Sequence, residues 1–239
     1  MTKNTYFQFK QFRIYQDKCA MKVGTDGVLL GAWANIDTNT KNVLDIGTGT
    51  GLIALMLAQK SEATIDAIEL DATAATQAIE NSLLTPWHHR IRIIHADFKI
   101  FAQQATSQYD VIISNPPYFQ SSLHTPNKQR TLARHNDSLS IDALLTGVLK
   151  LLQPEGFFYV ILPLKEGQLL EEKANLAGLY CYKKMVVLPN PTAIAKRVLL
   201  CFSSKESEIL EDNLIIETNT RGIYTAAYKE LTKAYYLHF

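Results

Sequence analysis

Asn115-Pro116-Pro117-Tyr118 is the stretch of this chain whose residue types do the most specific chemistry, and it directly follows the apolar run Val111-Ile112-Ile113-Ser114. An amine conjugated to a ring or carbonyl is flat, and its lone pair is delocalised. To take up a methyl group, its nitrogen must become tetrahedral. The Asn115 side-chain oxygen and the Pro116 carbonyl can each accept one N–H of such an amine and turn its lone pair toward an electrophile. Acceptors of this kind stabilise most where positive charge develops in the transition state. The two prolines stiffen the loop and leave its carbonyls without local N–H partners. Tyr118 offers a ring on which a planar base can stack, a contact worth roughly 1–3 kcal/mol. No strong general base is required, because the methylated ammonium is acidic, and in-line positioning supplies the rest.

An electrophile needs its own holder, and Asp45-Ile46-Gly47-Thr48-Gly49-Thr50-Gly51 has the form of one. A glycine turn after a buried strand lets the backbone pass close to a ligand at the strand end. The dinucleotide fingerprint G-x-G-x-x-G would need glycine at position 52, where Leu52 stands, and this argues against NAD or FAD. Asp45, a carboxylate inside an otherwise apolar strand, is placed to orient the turn. Through ordered water it would face the cationic amino-acid end of S-adenosylmethionine. Glu69 closes the second strand, where an acidic residue bonds ribose hydroxyls in doubly wound folds. Asp71, just before an Ala-rich helix, reads as an N-cap. Asp97 ends the third strand and is expected to accept from the adenine amino group, with Phe98 beside the ring. The cofactor expected is therefore S-adenosylmethionine, with no metal.

These residues need a scaffold that brings separated strand ends together. From about residue 42 the chain alternates strands with helices. Strands are expected at 43–46, 64–69, 91–95, 111–114 and 157–162, and helices at 52–59, about 72–84, 141–152 and 166–177. Gln153-Pro154-Glu155-Gly156 reads as the turn that ends the third of these helices. Two final β-rich runs, 182–188 and 197–203, are joined by a loop too short for a helical crossover and should pair antiparallel. Such alternation implies an α/β doubly wound sheet, mostly parallel, with helices on both faces. This arrangement resembles the class I methyltransferase fold, Rossmann-like, with seven strands and an antiparallel edge hairpin. Residues 6–23 alternate apolar and polar side chains, as short strands or a hairpin do, and Thr25 or Asp26 could cap a short helix after them.

At 239 residues the chain suits one domain. We divide it into an N-terminal extension (1–40) over the cofactor site, a catalytic core (41–204) and a tail (205–239) packed on that core. No apolar run approaches the ~20 residues of a membrane span, and Met1–Tyr6 lacks a secretory apolar segment. Cys19, Cys181 and Cys201 form no CxxC pair, which suits a reducing cytoplasmic compartment. Net charge is only +1, from 24 Lys+Arg against 23 Asp+Glu, so nucleic-acid binding must rest on local clusters. The candidates are Lys10 and Arg13, then Lys128, Arg130 and Arg134 after the tetrad, and Lys196-Arg197 before the last strand.

The glycine turn together with the Asn-Pro-Pro-Tyr tetrad resembles class I amino-methyltransferases that act on nucleic-acid adenine N6, ribosomal guanine N2 or release-factor glutamine N5. A non-catalytic S-adenosylmethionine- or RNA-binding scaffold is the alternative from another class. The flanks are more specific. Phe9-Lys10-Gln11-Phe12-Arg13-Ile14-Tyr15-Gln16, the run from Lys22 to Trp33, Ala133-Arg134-His135, Tyr224-Thr225-Ala226-Ala227-Tyr228 and Tyr235-Tyr236-Leu237 look like the bacterial tRNA(Val) adenine-N6 methyltransferase family. The resemblance covers most of the chain. It implies methylation of the adenine directly 3′ of the anticodon, position 37, in a valine tRNA, with that anticodon loop as partner and no membrane or obligate protein partner. It also implies that Thr25 to Gly27 fold over the methionine end of the cofactor. His135 stands where that family would have an acidic residue and is assigned no role.

Overall fold

Continuous apolar runs in a chain of alternating strands and helices mark strands buried on both faces, and they assemble here into one mixed sheet. The computed structural model describes residues 5–117 and 139–238. An N-terminal hairpin, β1 (Tyr6–Gln8) with β2 (Arg13–Tyr15), leads into α1 (Thr25–Trp33). Then come β3 (Asn42–Ile46), α2 (Leu52–Lys60), β4 (Thr64–Glu69), α3 (Ala72–Leu83), β5 (Ile91–His95), α4 (Phe98–Gln104) and β6 (Tyr109–Ser114). After the gap follow α5 (Ile141–Leu151), β7 (Leu152–Pro163), α6 (Leu164–Leu176), β8 (Tyr180–Leu188), β9 (Arg197–Ser203), β10 (Leu210–Ile215) and α7 (Ala226–Thr232).

The large sheet has the order β10-β8-β9-β7-β6-β3-β4-β5. All neighbours are parallel except β9, which runs antiparallel between β7 and β8. Side chains alternate across it. Leu44, Ile46, Ile112, Phe158 and Val160 face the layer of α4, α5 and α6. Val43, Val111, Ile113, Tyr159 and Ile161 face α1 and α2. A third cluster wedges Phe9, Phe12 and Ile14 of the hairpin segment against Val28, Leu55, Met56 and Tyr235, so the N-terminal strands and the C-terminal segment share one apolar seam.

The expected fold class holds, with three local differences. An eighth strand, β10, joins the sheet in parallel outside β8, pairing Leu210↔Lys183 through Ile215↔Leu188. Leu214 is its sole fully buried side chain, and charges fill its middle, as suits an edge strand that must not pair further. That composition hid it inside the expected tail. Second, β7 starts directly after α5, at Leu152. The four residues read as a turn are absorbed as a bulge between the Tyr109↔Leu152 and Val111↔Phe157 pairs. Glycine is needed there, since a Cβ at Gly156 would lie 2.9 Å from the Asp110 carbonyl oxygen. Third, α1 is capped by neither Thr25 nor Asp26. Gly24 is the N-cap and has no side chain to make a cap bond, while Asp26, inside the first turn, pairs with Arg197 at 2.8 Å. Among the described residues, no helix is long and apolar enough to cross a membrane.

Candidate active site

Strand order reverses at β3. The chain runs from β3 outward to β4 and β5 on one side and returns to β6 and β7 on the other. Ligands bind at the carboxyl ends of strands at such a switch point. The pairing Ile46↔Ser114 then sets the first glycine, Gly47, and the first tetrad residue, Asn115, one step beyond two neighbouring paired residues. The Ser114 hydroxyl strengthens the junction by donating to the Ile46 carbonyl at 2.9 Å.

The glycine turn is held from both flanks. Gly47, Gly49 and Gly51 have φ of 72°, 57° and 83°, a left-handed backbone that L side chains rarely adopt. The amides of Gly47 and Thr48 both donate to the Ile68 carbonyl at 2.9 Å, and the Gly51 amide donates to Thr48 O at 2.9 Å. Asp45 lies wholly buried beneath the turn, and its Oδ2 accepts the Thr48 hydroxyl at 2.6 Å. Its Oδ1 is buried without a protein partner. Burial pushes the carboxyl up to about 7, the Thr48 hydroxyl and then the Ala54 backbone N–H pull against this, and the nearby Glu69 charge adds to it. Glu69 fastens the turn to β4. Its Oε2 accepts the Gly49 N–H at 2.8 Å and its Oε1 accepts the Asp71 N–H at 2.9 Å.

A cavity of about 420 Å³ opens here, within the range of small-molecule sites. Of the residues expected at the cofactor, Gly47, Gly49, Glu69, Asp97 and Phe98 line it, together with Asn115, Pro116 and Pro117. Asp45 sits behind the lining rather than in it. Asp97 is the N-cap of α4, accepting the Lys99 amide at 2.7 Å, with its other oxygen 3.4 Å from the Lys99 ammonium. The Phe98 ring is packed on Gly147 so closely that a Cβ there would lie 2.5 Å from two ring carbons. Asp71 is an N-cap as read, accepting the Ala74 N–H at 2.8 Å. Thr25 is exposed at the start of α1 and does not line the cavity. Gly27 is buried with its Cβ position 3.0 Å from Leu52 and 3.8 Å from Asn115 Nδ2, so α1 abuts the tetrad.

Residues 24–160 match the methyltransferase small domain model. A curated protein of Bacteroides fragilis named tRNA1(Val) (adenine(37)-N6)-methyltransferase is 47% identical over 233 residues, covering 97% of this chain and 98% of its own. The chain belongs to this family. A family member of the same name from Erwinia tasmaniensis is 47% identical over 97% of this chain and 94% of its own. This tRNA1(Val) (adenine(37)-N6)-methyltransferase likeness runs past the domain match into the N-terminal hairpin and the segment after β7. The solved structure of a predicted O-methyltransferase of Agrobacterium tumefaciens superposes with a TM-score of 0.68 at 18% identity, covering 88% of this chain and 96% of that one. At that identity it speaks for the fold alone.

The remaining expected residues of this family member are scattered. Tyr118, Lys128, Arg130, Arg134 and His135 lie outside the described residues. Lys10 is exposed and donates to the Lys233 carbonyl at 2.6 Å. The Arg13 guanidinium sits 4.4 Å over the Tyr6 ring and bonds Gln8 Oε1 at 2.7 Å. Lys196 is exposed, whereas Arg197 is half-buried and paired with Asp26. Sequence reasoning missed one whole wall of the cavity, Lys18-Cys19-Ala20-Met21. Burial and the charges of Glu69 and Asp71 push the Cys19 thiol up to about 11, so this wall carries no thiolate at neutral pH. A faint signal for the wall's support existed in Gln77 and Asn81. These are polar residues four apart on a helix face otherwise made of Ala74 and Ala78.

Proposed function

We propose that the protein transfers the methyl group of S-adenosylmethionine to the N6 amine of adenine 37 in a valine tRNA. The observation that carries this reading is the adjacency set by Ile46↔Ser114, which joins the glycine turn and Asn115-Pro116-Pro117 in one cavity. The cavity's chemistry fits the donor: a buried, unpartnered carboxylate oxygen behind the turn for the ammonium side, and Glu69 for ribose hydroxyls. Bound there, S-adenosylmethionine would supply a methyl group on a positively charged sulfur.

The chain's own residues do the orienting. Asn115 Oδ1 and the Pro116 carbonyl each accept one N–H of the target amine, which directs its lone pair along the line to the methyl carbon. With the methyl carbon supplied by the bound donor, the amine nitrogen would become tetrahedral between these two acceptors and release its extra proton to water, so the chain needs no general base of its own. Gly27 lets α1 lie close to Leu52 at the start of α2 and beside the Asn115 side chain. Tyr118 is assigned the stacking contact with an adenine swung out of the anticodon loop. Lys10, Arg13, Lys128, Arg130, Arg134 and Lys196 are assigned phosphate contacts. Arg197 is assigned a positioning role on α1 through Asp26, since its guanidinium is already engaged there. The chain acts in this reading as one domain in the cytoplasm, with 1–40 reaching over the donor.

Incubating the protein with valine tRNA and methyl-labelled donor, then analysing nucleosides by mass spectrometry, tests the proposal. N6-methyladenosine at position 37 is the expected product. Label in guanosine or in protein, with none in adenosine, would overturn it.

A further inference from the structure

The cavity wall at Lys18–Met21 has no regular secondary structure of its own, and residues 16–24 form neither helix nor strand. Backbone amides near a site must still find partners, and here buried side-chain amides provide them. Asn81 of α3 is fully buried. Its Oδ1 accepts the Tyr15 N–H at 2.9 Å and its Nδ2 donates to the Tyr15 carbonyl at 2.9 Å, so one side chain takes the place of a neighbouring strand. The second N–H of that Nδ2 donates to the Thr50 carbonyl at 2.9 Å, inside the glycine turn. One turn earlier on the same face, buried Gln77 accepts the Lys18 N–H at 3.1 Å. At the far end of the wall, buried Gln16 accepts the Val23 N–H at 2.8 Å. The Lys18 ammonium is pinned to Glu80 at 2.5 Å.

We propose that Asn81 is a positioning residue for the methyl donor, holding the 15–23 segment as a preformed wall of the cavity and locking it to the glycine turn. The inference rests on the reading that this cavity takes S-adenosylmethionine. Its two Nδ2 hydrogens are spent on the carbonyls of Tyr15, at the end of the strand that leads into one wall, and of Thr50, in the glycine turn that supplies another. Rotation of this one side chain would therefore release the wall and the turn together. Ordering the wall in advance removes a cost that the donor would otherwise meet on binding. Nothing in this arrangement touches the tetrad, so the effect should fall on donor affinity and leave the methyl-transfer step alone.

Asn81→Asp keeps the shape and removes both donors, setting a carboxylate oxygen against two carbonyls. Calorimetry with S-adenosylhomocysteine on the full chain, steady-state kinetics and limited trypsin cleavage after Lys18 and Lys22 give the test. Affinity for S-adenosylhomocysteine should fall about 10-fold, a change of about 1.4 kcal/mol. The KM for the donor should rise in step, kcat at saturating donor should stay within about twofold, and cleavage in the wall should quicken. Unchanged affinity, or a kcat that falls as far as affinity does, overturns the proposal. If Asn81→Asp does not fold, Gln77→Met removes the Lys18 N–H bond and the 3.2 Å bond from Gln77 to Glu80, both on the same wall, and should weaken binding about threefold with faster cleavage after Lys18; wild-type values there overturn the preformed wall equally. Failure of the wild-type protein to bind S-adenosylhomocysteine would instead sink the donor reading itself.

Discussion

Asp45 is the residue whose ionisation the fold changes most usefully. Its folded value of about 7 lies above the ordinary 3.8. Between those two pH values the folded protein holds a proton that the unfolded chain has released. Stability from this group is therefore present below pH 4 and lost as pH rises to about 7. A donor ammonium nearby favours the carboxylate, which reverses the preference. Binding of S-adenosylhomocysteine at pH 6.5 should thus release up to about one proton, visible as heats that depend on buffer ionisation enthalpy. The Asp45→Asn protein should show no such dependence; a wild type without it would remove Asp45 from the donor's electrostatics. Asn115 makes the complementary prediction. Asn115→Ala should lower kcat on the order of 10²–10³-fold, the usual loss for a transition-state hydrogen-bond partner. Its effect on S-adenosylhomocysteine affinity should stay small. Wild-type kcat in that variant would refute the mechanism even if the substrate were right.

At the scale of elements, the cavity depends on how helices seat against strand ends. α5 presses on α4 through Gly147 and Phe98, and there is no room between them for a methyl group. Gly147→Ala should force the Phe98 ring into the cavity wall. The expected cost is about 1–3 kcal/mol of stability, as for other overpacked cores. Donor affinity should weaken with it, measured by thermal unfolding alongside calorimetry. A variant of unchanged stability would show that α4 can yield without strain. The ends of α1 and α2 are anchored by long cationic side chains. Lys60 donates to the Gly31 carbonyl at 2.7 Å and also bonds the carbonyls of Ala32 and Ala34. Arg90 donates to Ala58, Ser61 and Ala63 at 2.8–3.1 Å. Positive charge at a helix C-terminus is favourable both for the exposed carbonyls and for the helix dipole.

At the scale of the molecule, a net charge of +1 leaves no overall attraction for RNA, so a tRNA must find local cations. Phosphate contacts and positioning cations are separable by salt. Arg134→Ala should weaken tRNA binding and shallow the slope of log K against log salt by about one contact, with donor affinity intact. Arg197→Ala should leave that slope unchanged and lower kcat instead, because its partner Asp26 sits in the first turn of α1, next to Gly27 and the tetrad. Equal salt slopes for Arg134→Ala and the wild type would take Arg134 off the RNA surface.

Local signals carried much of this protein into view. The continuous apolar runs of β3 and β6, the three left-handed glycines, the carboxylates at strand ends and the tetrad after β6 are all written in short runs of neighbouring residues. They were enough for the sheet, the cavity's glycine and acidic lining, and the amine chemistry. What tertiary structure decided are contacts between residues far apart in the chain. Asn81 bonds Tyr15 66 residues away, Arg197 finds Asp26 171 residues away, and β10 reaches the sheet through a single buried leucine. No local period marks such partners. A buried amide is as polar in sequence as an exposed one, and only the folded chain shows that its bonds are spent holding the cavity wall.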